Sequence, residues 1–155
     1  MSIFSKLFKK KTYYGDVVYL VENYRVDEKS AYDGVPTIYY DIYRISDNRK
    51  VGKTDLRLTI EGDMYYYGHV GYHILKEYRS NNYSYYACKI LFKVAYEEFN
   101  LEELIITCSP ENIASYKVLE KLDGQLIETV DVPKQHLLYR LGETRKCIFK
   151  YKIGL

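Results

Sequence analysis

A short polar segment between a strand pattern and a helix pattern is the part of the chain best suited to bind an anion. It spans residues 79–84, has the sequence RSNNYS and contains no acid. Residues 65–75 before it are aromatic, β-branched and interrupted by glycine, which predicts a strand. Because the first N–H groups of a helix have no partner within it, we predict a site for an anion, typically a phosphate. The helix after the segment is predicted by apolar residues that recur on one face: Tyr83, Tyr86, Ala87, Ile90, Leu91, Val94 and Ala95.

Two histidines in the predicted strand are candidates for acid–base chemistry, since the charge of histidine changes near neutral pH. They are His69 and His73. Four residues of strand span roughly 13 Å, so the two imidazoles cannot hold one metal ion. The alternative for each is a packed, structural histidine. Glu61 and Asp63, in the turn before the strand, are further candidates for a base, although acids in turns are usually solvated.

Length and composition fit one globular domain. The chain has 155 residues, of which 47% are hydrophobic and 28% charged, which is enough for one core and short for two. Its 23 basic and 21 acidic side chains give a net charge of +2, which does not favour a nucleic-acid-binding protein. The 20 tyrosines fit a compositional bias of the source genome better than a dedicated binding surface.

The cysteines and the hydropathy pattern predict a cytoplasmic protein. Cys88, Cys108 and Cys147 are odd in number, widely spaced and form no C-x-x-C pair. This favours reduced thiols over a disulfide framework or a zinc site. No apolar run reaches the roughly 18 residues of a membrane span. Residues 1–12 are basic with interspersed apolar side chains, and we interpret them as a flexible terminal segment, with a weak membrane-surface helix as the alternative.

The remaining pattern predicts an α+β fold: a central mixed, mostly antiparallel sheet of about seven strands with few helices. Strands at residues 37–45, 51–60 and 65–75 are separated by tight turns and form a meander. The helix that begins at Tyr83 is followed by an apolar strand at 101–109. A strand, a crossover helix and a second apolar strand predict parallel pairing of the two strands. The other predicted elements are strands at 16–24, 125–132 and 145–153 and a helix at about 112–122.

In order and spacing these motifs resemble the GNAT superfamily of acyl-CoA N-acyltransferases. Residues 79–84 resemble the family's phosphate loop, Q/R-x-x-G-x-G/A. Residues 109–124, SPENIASYKVLEKLDG, are similar to its N-x-x-S-x-x-V-L-E-K-L-G segment, in the form found in ribosomal-protein and other N-terminal acetyltransferases. The resemblance covers about residues 51–132 and implies a single acetyltransferase domain over residues 1–155.

The resemblance implies that the chain binds acetyl-CoA as a co-substrate and passes its acetyl group directly to a primary amine, with no metal. The diphosphate would lie on the main-chain amides of residues 79–84, and the pantetheine arm along the free edge of the preceding strand. The structural alternative for Asn112 is a helix N-cap. The structural alternative for Arg79 is a solvated charge. The implied cofactor-binding residues are His73, Ile74, Leu75, Arg79, Ser80, Asn81, Asn82, Tyr83, Ser84, Asn112 and Ser115.

Acyl transfer also needs an acid for the leaving thiolate and a base for the amine. Many family members place a tyrosine acid at the position of Leu119, so the usual acid is absent here. The resemblance implies Ser115 in its place, with Tyr116 as the fallback. The alternative is a helical serine that bonds the carbonyl four residues earlier. His69 is the first candidate for the base, and Glu61 or a chain of water molecules are the others.

The sequence departs from the family pattern at two places, and each departure predicts a feature of the structure. Asn82 and Ser84 stand where the family has glycine. Asparagine is the residue after glycine that most readily adopts the left-handed conformation, so we expect the loop to form. The link between the first two strands, of about 12 residues, is short for the two helices that the family places there. Because those helices floor the acceptor site, we expect an open acceptor cleft.

The sequence leaves the acceptor and two competing functions open. A protein N-terminus and a small-molecule amine both fit as acceptors, and a homodimer is a further expectation because dimers are common in such folds. A weak or inactive acyl-CoA-binding module on the same fold is favoured by the substituted glycines and the missing tyrosine. An unrelated α+β interaction protein with a tyrosine surface is the other alternative, and it predicts no binding of acetyl-CoA.

Overall fold

Eight strands and three helices make up the fold in the computed structural model, which describes residues 10–154. The helices are α1 (Tyr83–Phe99), α2 (Ile113–Lys121) and the short α3 (Leu137–Arg140). Two 3₁₀ turns, Gly62–Tyr66 and Lys76–Tyr78, flank the fifth strand. The strands are β1 (Thr12–Tyr14), β2 (Val18–Val26), β3 (Thr37–Arg44), β4 (Lys50–Arg57), β5 (Val70–Ile74), β6 (Glu103–Cys108), β7 (Gln125–Asp131) and β8 (Arg145–Lys152).

The strands form two sheets, ordered β1-β2-β3-β4-β5 and β6-β8-β7. Every pairing within them is antiparallel. The predicted α+β class, with mostly antiparallel strands and few helices, is confirmed, although the strands divide between two sheets. The strand that the sequence did not predict is β1, which pairs with β2. Most of the predicted basic terminal segment, residues 1–9, lies outside the described residues.

The core lies between α1 and the inner face of the first sheet. Along β3, Ile38, Tyr40 and Ile42 are buried while the residues between them are partly exposed, as strand alternation requires. Burying a side chain such as Leu91 contributes about 1.5–3 kcal/mol, so α1 and the loop before it are held firmly against the sheet. Six of the seven residues predicted for the apolar face of α1 are buried, Tyr86 is half-buried, and Cys88 is buried in addition. The buried residues are Tyr83, Ala87, Cys88, Ile90, Leu91, Val94 and Ala95.

β5 and β6 lie in different sheets, so the predicted parallel pairing between them is wrong. Within residues 10–154 an isolated antiparallel bridge between Gly68 and Ile106 is their one ladder contact. The main-chain N–H of His69 adds a hydrogen bond to the carbonyl oxygen of Ile105 at 2.7 Å. Beyond this point β5 pairs with β4 alone. The free strand edge that the family resemblance implied is therefore present.

The chain bends sharply at Gly68, just before it enters β5. The φ of this residue is +73°, a left-handed value. A Cβ at this position would lie 2.7 Å from the carbonyl oxygen of Ile105. Glycine satisfies both constraints without strain, so Gly68 sets the point at which the two sheets separate.

Residues 65–75 form a strand only in their second half. The 3₁₀ turn Gly62–Tyr66 occupies the first part, and the strand begins at Val70, so the predicted strand is too long at its N-terminal end. The hydroxyl of Thr107 donates to the carbonyl oxygen of Tyr66 at 2.8 Å. Such long-range contacts outweigh the strand propensity of three consecutive tyrosines.

The link between β2 and β3 contains no helix, as its length predicted. Residues 27–36 form turns, in which the carboxylate of Asp27 accepts the N–H groups of Lys29 and Ser30. The face of the first sheet opposite α1 is consequently open, and Tyr24 on this face is 52% exposed. None of the helices described is both long and apolar enough to cross a membrane.

Candidate active site

The open edge of β5 faces the gap between the two sheets. In an antiparallel pair, successive residues alternate between bonding the partner strand and facing away from it. The N–H of Leu75 donates to the carbonyl oxygen of Val51, the residue that β4 places beside it, at 2.9 Å. By this alternation His73 also turns its main chain toward β4. The main-chain groups of Tyr72 and Ile74 face the gap, so Ile74 is the one of the three implied strand residues with its main chain on the open edge.

The loop after β5 contains two left-handed residues. Asn82, with φ +60°, directly precedes α1, which confirms the conformation expected at this position. Ser80, with φ +68°, is a second such residue and was not predicted. The side-chain amide of Asn81 holds the loop closed, because its Nδ2 donates to the carbonyl oxygens of Tyr78 (3.0 Å) and Arg79 (3.1 Å).

Six consecutive backbone N–H groups, those of residues 80–85, have no hydrogen-bond acceptor within residues 10–154. The helix ladder starts at the N–H of Tyr86, which donates to the carbonyl oxygen of Asn82 at 3.1 Å. The side chain of Asn82 makes no capping bond. Free N–H groups at the positive end of a helix dipole attract an anion. The arrangement can therefore hold a phosphate or a diphosphate.

Two side chains fix the ends of this loop. Nε of the exposed Arg79 donates to the carbonyl oxygen of Ile74, at the end of β5, at 3.1 Å. The other end is anchored by the buried ring of Tyr83, whose hydroxyl accepts a hydrogen bond from Nη1 of Arg44 at 3.2 Å. Tyr83 therefore presents its main chain, and not its side chain, to the anion site.

The start of α2, just after β6, forms the opposite wall of the gap. Oδ1 of Asn112 accepts the N–H of Ser115 at 3.1 Å, which confirms the N-cap role considered for Asn112. Among the described residues, the partner of the Ser115 hydroxyl is the hydroxyl of Tyr72 on β5, at 2.6 Å. This hydrogen bond crosses the gap and links β5 to α2.

Tyr72 is a residue of the candidate site that the sequence reasoning missed. Burial raises the pKa of its phenol, so the hydroxyl is protonated at neutral pH. The fully buried Leu119 occupies the position of the family's tyrosine. Tyr116, the predicted fallback, packs its ring edge-to-face on Phe149 with centroids 5.2 Å apart. The leucine at position 119 was the available signal, because the absence of a tyrosine there indicates that a phenol in the gap must come from another element.

His69 lies where the two sheets meet and is buried. Its Nδ1 accepts the N–H of Ile105 at 2.9 Å, which assigns the ring proton to Nε2. Burial, reinforced by the charge of Arg57, lowers the pKa of His69 to about 4. The imidazole is therefore neutral at pH 7 and holds β5 to β6. This geometry favours the structural role over that of a base.

The stability of the protein should depend on pH through His69. The unfolded chain gains a proton near pH 6.5 and the folded protein only near pH 4, so acid favours unfolding. As the pH falls through this window, we expect the free energy of unfolding to drop by on the order of 3 kcal/mol; below the window this loss persists, and outside it the group adds no further pH dependence. Urea unfolding measured between neutral pH and pH 4 checks the expectation.

The control for His69 is His69→Gln, whose amide oxygen can still accept the N–H of Ile105. This variant should lose the part of the pH dependence that belongs to the imidazole. An identical pH dependence in the two proteins would show that His69 is not buried as a neutral group.

Two other predicted residues lie away from the hydroxyl pair. His73 is exposed on β5, opposite Lys53 in the strand register. Glu61 is exposed at the start of the first 3₁₀ turn, and its side chain makes no capping bond. Neither side chain is hydrogen-bonded to Ser115. Within residues 10–154, no group of three or more His, Cys, Asp or Glu side chains is placed to hold a metal ion.

A groove of about 500 Å³ lies against the first sheet beside β5. Tyr24 and Tyr39 stack in its wall with ring centroids 4.4 Å apart. The carboxylates of Asp41 and Asp55 line it together with His73. Burial raises the pKa of Asp55, and neighbouring cations oppose the rise. Lys50 and Lys53 also line the groove, and both carboxylates are ion-paired: Asp41 with Lys50 at 2.9 Å and Asp55 with Arg57 at 3.2 Å.

Comparison with known proteins identifies the family. The acetyltransferase (GNAT) domain matches residues 20–125, more than half of the chain. The chain belongs to the GNAT family of acetyltransferases. The membership implied by the loop at residues 79–84 and the segment at residues 109–124 is therefore confirmed.

Individual relatives of this GNAT protein are distant. The uncharacterised N-acetyltransferase YnaD of Bacillus subtilis strain 168 is 34% identical over 53 residues, and the match covers 34% of this chain and 31% of YnaD. A GNAT-family acetyltransferase of Bacillus anthracis superposes with a TM-score of 0.67 at 14% identity, over 92% of this chain and 98% of its own. The ribosomal-protein-S5-alanine acetyltransferase of Vibrio fischeri superposes with a TM-score of 0.60 at 18% identity, over 76% of this chain and 62% of its own. These superpositions establish the fold.

Proposed function

We propose that this GNAT protein binds acetyl-CoA and transfers the acetyl group to a primary amine. The observation that carries the proposal is the run of six free N–H groups at residues 80–85, which directly follows the open edge of β5. A diphosphate can accept hydrogen bonds along such a run. An extended pantetheine arm can bond the unpaired main-chain groups of a strand edge, as a peptide does in strand addition.

Each part of the co-substrate meets a different element in this proposal. The main chain of residues 80–85 holds the diphosphate, and the guanidinium of Arg79 supplies a positive charge beside it. The main-chain groups of Tyr72 and the N–H of Ile74 bond the arm, because the carbonyl oxygen of Ile74 already accepts Nε of Arg79. Asn112 keeps the start of α2 at the gap and contacts the arm, and Ser115 lies at the thioester sulfur.

The protein's part in the chemistry is to position the reactants and stabilise charge. The amine nitrogen attacks the thioester carbonyl, a C–N bond forms, and the C–S bond breaks with its electron pair going to sulfur. A main-chain N–H on the open edge of β5 stabilises the oxyanion. We assign removal of the amine proton to water, because Nδ1 of His69 already accepts a hydrogen bond and Glu61 is exposed away from the hydroxyl pair.

The proposed acceptor site is the groove beside β5. Its aromatic pair, Tyr24 and Tyr39, suits a protonated amine on an apolar or flat body, while Asp41 and Asp55 are held by Lys50 and Arg57. The link at residues 27–36 contributes no helix to cover it. Such an open groove accommodates the N-terminus of a protein as well as a small amine.

Calorimetric titration with acetyl-CoA, CoA and pantetheine tests the proposal. We expect the first two to bind and pantetheine, which lacks the diphosphate, to bind at least roughly tenfold more weakly. Release of free thiol from acetyl-CoA is then measured with a panel of peptides with free N-termini, polyamines and amino acids. If neither acetyl-CoA nor CoA binds, the proposed function is overturned.

A regulatory module that binds acyl-CoA without turnover is the second candidate, favoured by the buried Leu119 at the position of the family's tyrosine. It predicts binding of acetyl-CoA and no release of thiol with any amine of the panel. We assign either function to the cytoplasm, because Cys88, Cys108 and Cys147 are all free thiols.

A further inference from the structure

We infer that Tyr72 is a positioning residue that aims the hydroxyl proton of Ser115 at the leaving sulfur; this inference rests on the function proposed above. The two hydroxyl oxygens are 2.6 Å apart. Tyr72 lies on the open edge strand of the first sheet, and Ser115 lies on the helix that follows β6 of the second. Their hydrogen bond spans the gap that is proposed to hold the pantetheine arm.

The direction of this hydrogen bond follows from the acidity of the two groups. Either hydroxyl can donate at this distance; a phenol is intrinsically the stronger donor and burial disfavours the charged form of both groups, so Tyr72 donates and Ser115 accepts in the proposed arrangement. The single proton of Ser115 is then directed elsewhere. Among the described residues its hydroxyl has no second partner, so this proton is available to a group that enters the gap.

The surroundings of Tyr72 keep it in the neutral form that this role needs. The titratable groups that face it are Cys88 on α1, Cys108 on β6 and Tyr151 on β8. Burial raises the pKa of both thiols to about 12 and raises that of Tyr151 as well. None of the three is charged near neutral pH. Tyr72 therefore keeps its hydroxyl proton and can donate a hydrogen bond to Ser115.

The packing of α2 explains why a strand residue takes this role. The side chain of Leu119 is fully buried, and its carbonyl oxygen accepts the hydroxyl of Tyr151 at 2.6 Å. The side chain at position 119 therefore lies in the core. The phenol comes from the opposite wall instead.

The step is balanced without net change in either hydroxyl. As the C–N bond forms and the C–S bond breaks, the Ser115 hydroxyl donates a hydrogen bond to the sulfur that receives the electron pair. Tyr72 strengthens this bond by donating to Ser115 Oγ, since linked hydrogen bonds polarise one another. The proton lost by the amine reaches the sulfur through solvent.

The test follows the ionisation of the thiol of bound CoA, by the rate at which iodoacetamide alkylates this thiol as the pH is varied, measured on the released CoA by mass spectrometry, since the thiolate is the reactive form. Ser115→Ala should raise the midpoint by about one pH unit, because it removes a hydrogen bond to a charged group. Tyr72→Phe keeps the ring and should raise the midpoint by roughly half as much, since it acts through Ser115. When Ser115→Ala is already present, Tyr72→Phe should not shift the midpoint further.

The matched control is Tyr43→Phe, which removes a phenolic hydroxyl from β3 of the same sheet and should leave the midpoint unchanged. Tyr72→Met carries the same expectation as Tyr72→Phe if the latter is poorly folded by thermal unfolding. If CoA binds and the Tyr72 variants do not move the midpoint, the inference is overturned and the proposed function stands. If CoA does not bind the wild-type protein, the proposed function itself fails.

Discussion

Replacing Ser84 by proline is expected to weaken acetyl-CoA binding roughly 10- to 100-fold while α1 stays folded. Ser84 is the second residue of α1, and its N–H belongs to the free run at residues 80–85. Proline removes this donor and costs no bond of the helix ladder, because the first N–H groups of a helix have no partner within it. A hydrogen bond from such a donor to a charged phosphate contributes about 1.5–3 kcal/mol, which corresponds to the expected range.

The matched control is Ser84→Ala, which removes the hydroxyl and keeps the N–H. Its affinity for acetyl-CoA should stay close to that of the wild-type protein. Calorimetry measures both affinities, and circular dichroism with thermal unfolding verifies that the proline variant keeps its helices. A folded proline variant that binds as tightly as the alanine variant would exclude the N–H of Ser84 from the diphosphate site.

The second large effect is expected from Gly68→Ala, which should lower the free energy of unfolding by about 2–5 kcal/mol. Part of the loss comes from φ, which at +73° is left-handed. The rest comes from the new Cβ, which would lie 2.7 Å from the carbonyl oxygen of Ile105 and 3.3 Å from the Cα of Ile106. These are main-chain atoms of β6, so they cannot move aside without disturbing the hydrogen bonds between His69 and Ile105.

Gly62→Ala separates the two causes. Gly62 has φ +60°, and a Cβ there would meet nothing within 4 Å, so only the left-handed penalty of about 1–2 kcal/mol is expected. Urea unfolding of both variants gives the comparison. Acetyl-CoA binding should weaken in Gly68→Ala alone, since Gly68 sets where the sheets separate. Equal losses of stability in the two variants would mean that contact with Ile105 does not constrain this position.

The anion loop could be predicted because its determinants are local. The apolar spacing of α1 indicates where the helix begins, and four of the six free N–H groups, those of residues 82–85, are a property of any helix start. The preference of Asn82 for a left-handed φ is equally local. The second left-handed residue, Ser80, was missed because serine carries no comparable preference.

The hydroxyl pair could not be predicted, because its two members are 43 residues apart in the chain. Which residues of β5 face the gap depends on the register with β4, and a shift of one residue would exchange the two edges. The sequence pattern also extended this strand to residue 65, which concealed the bend at Gly68. The role of His69 depends in the same way on the approach of Ile105.

The amino-acid sequence by itself determined the α+β class, the membership in the GNAT family, the strand–loop–helix unit and the N-cap of α2, because each follows from periodicity, turn residues or a short motif. The tertiary structure alone decided that β5 and β6 separate, that Leu75 turns away from the gap and that Tyr72 meets Ser115. These outcomes depend on register and on contacts between distant segments, and no local preference of the chain encodes them.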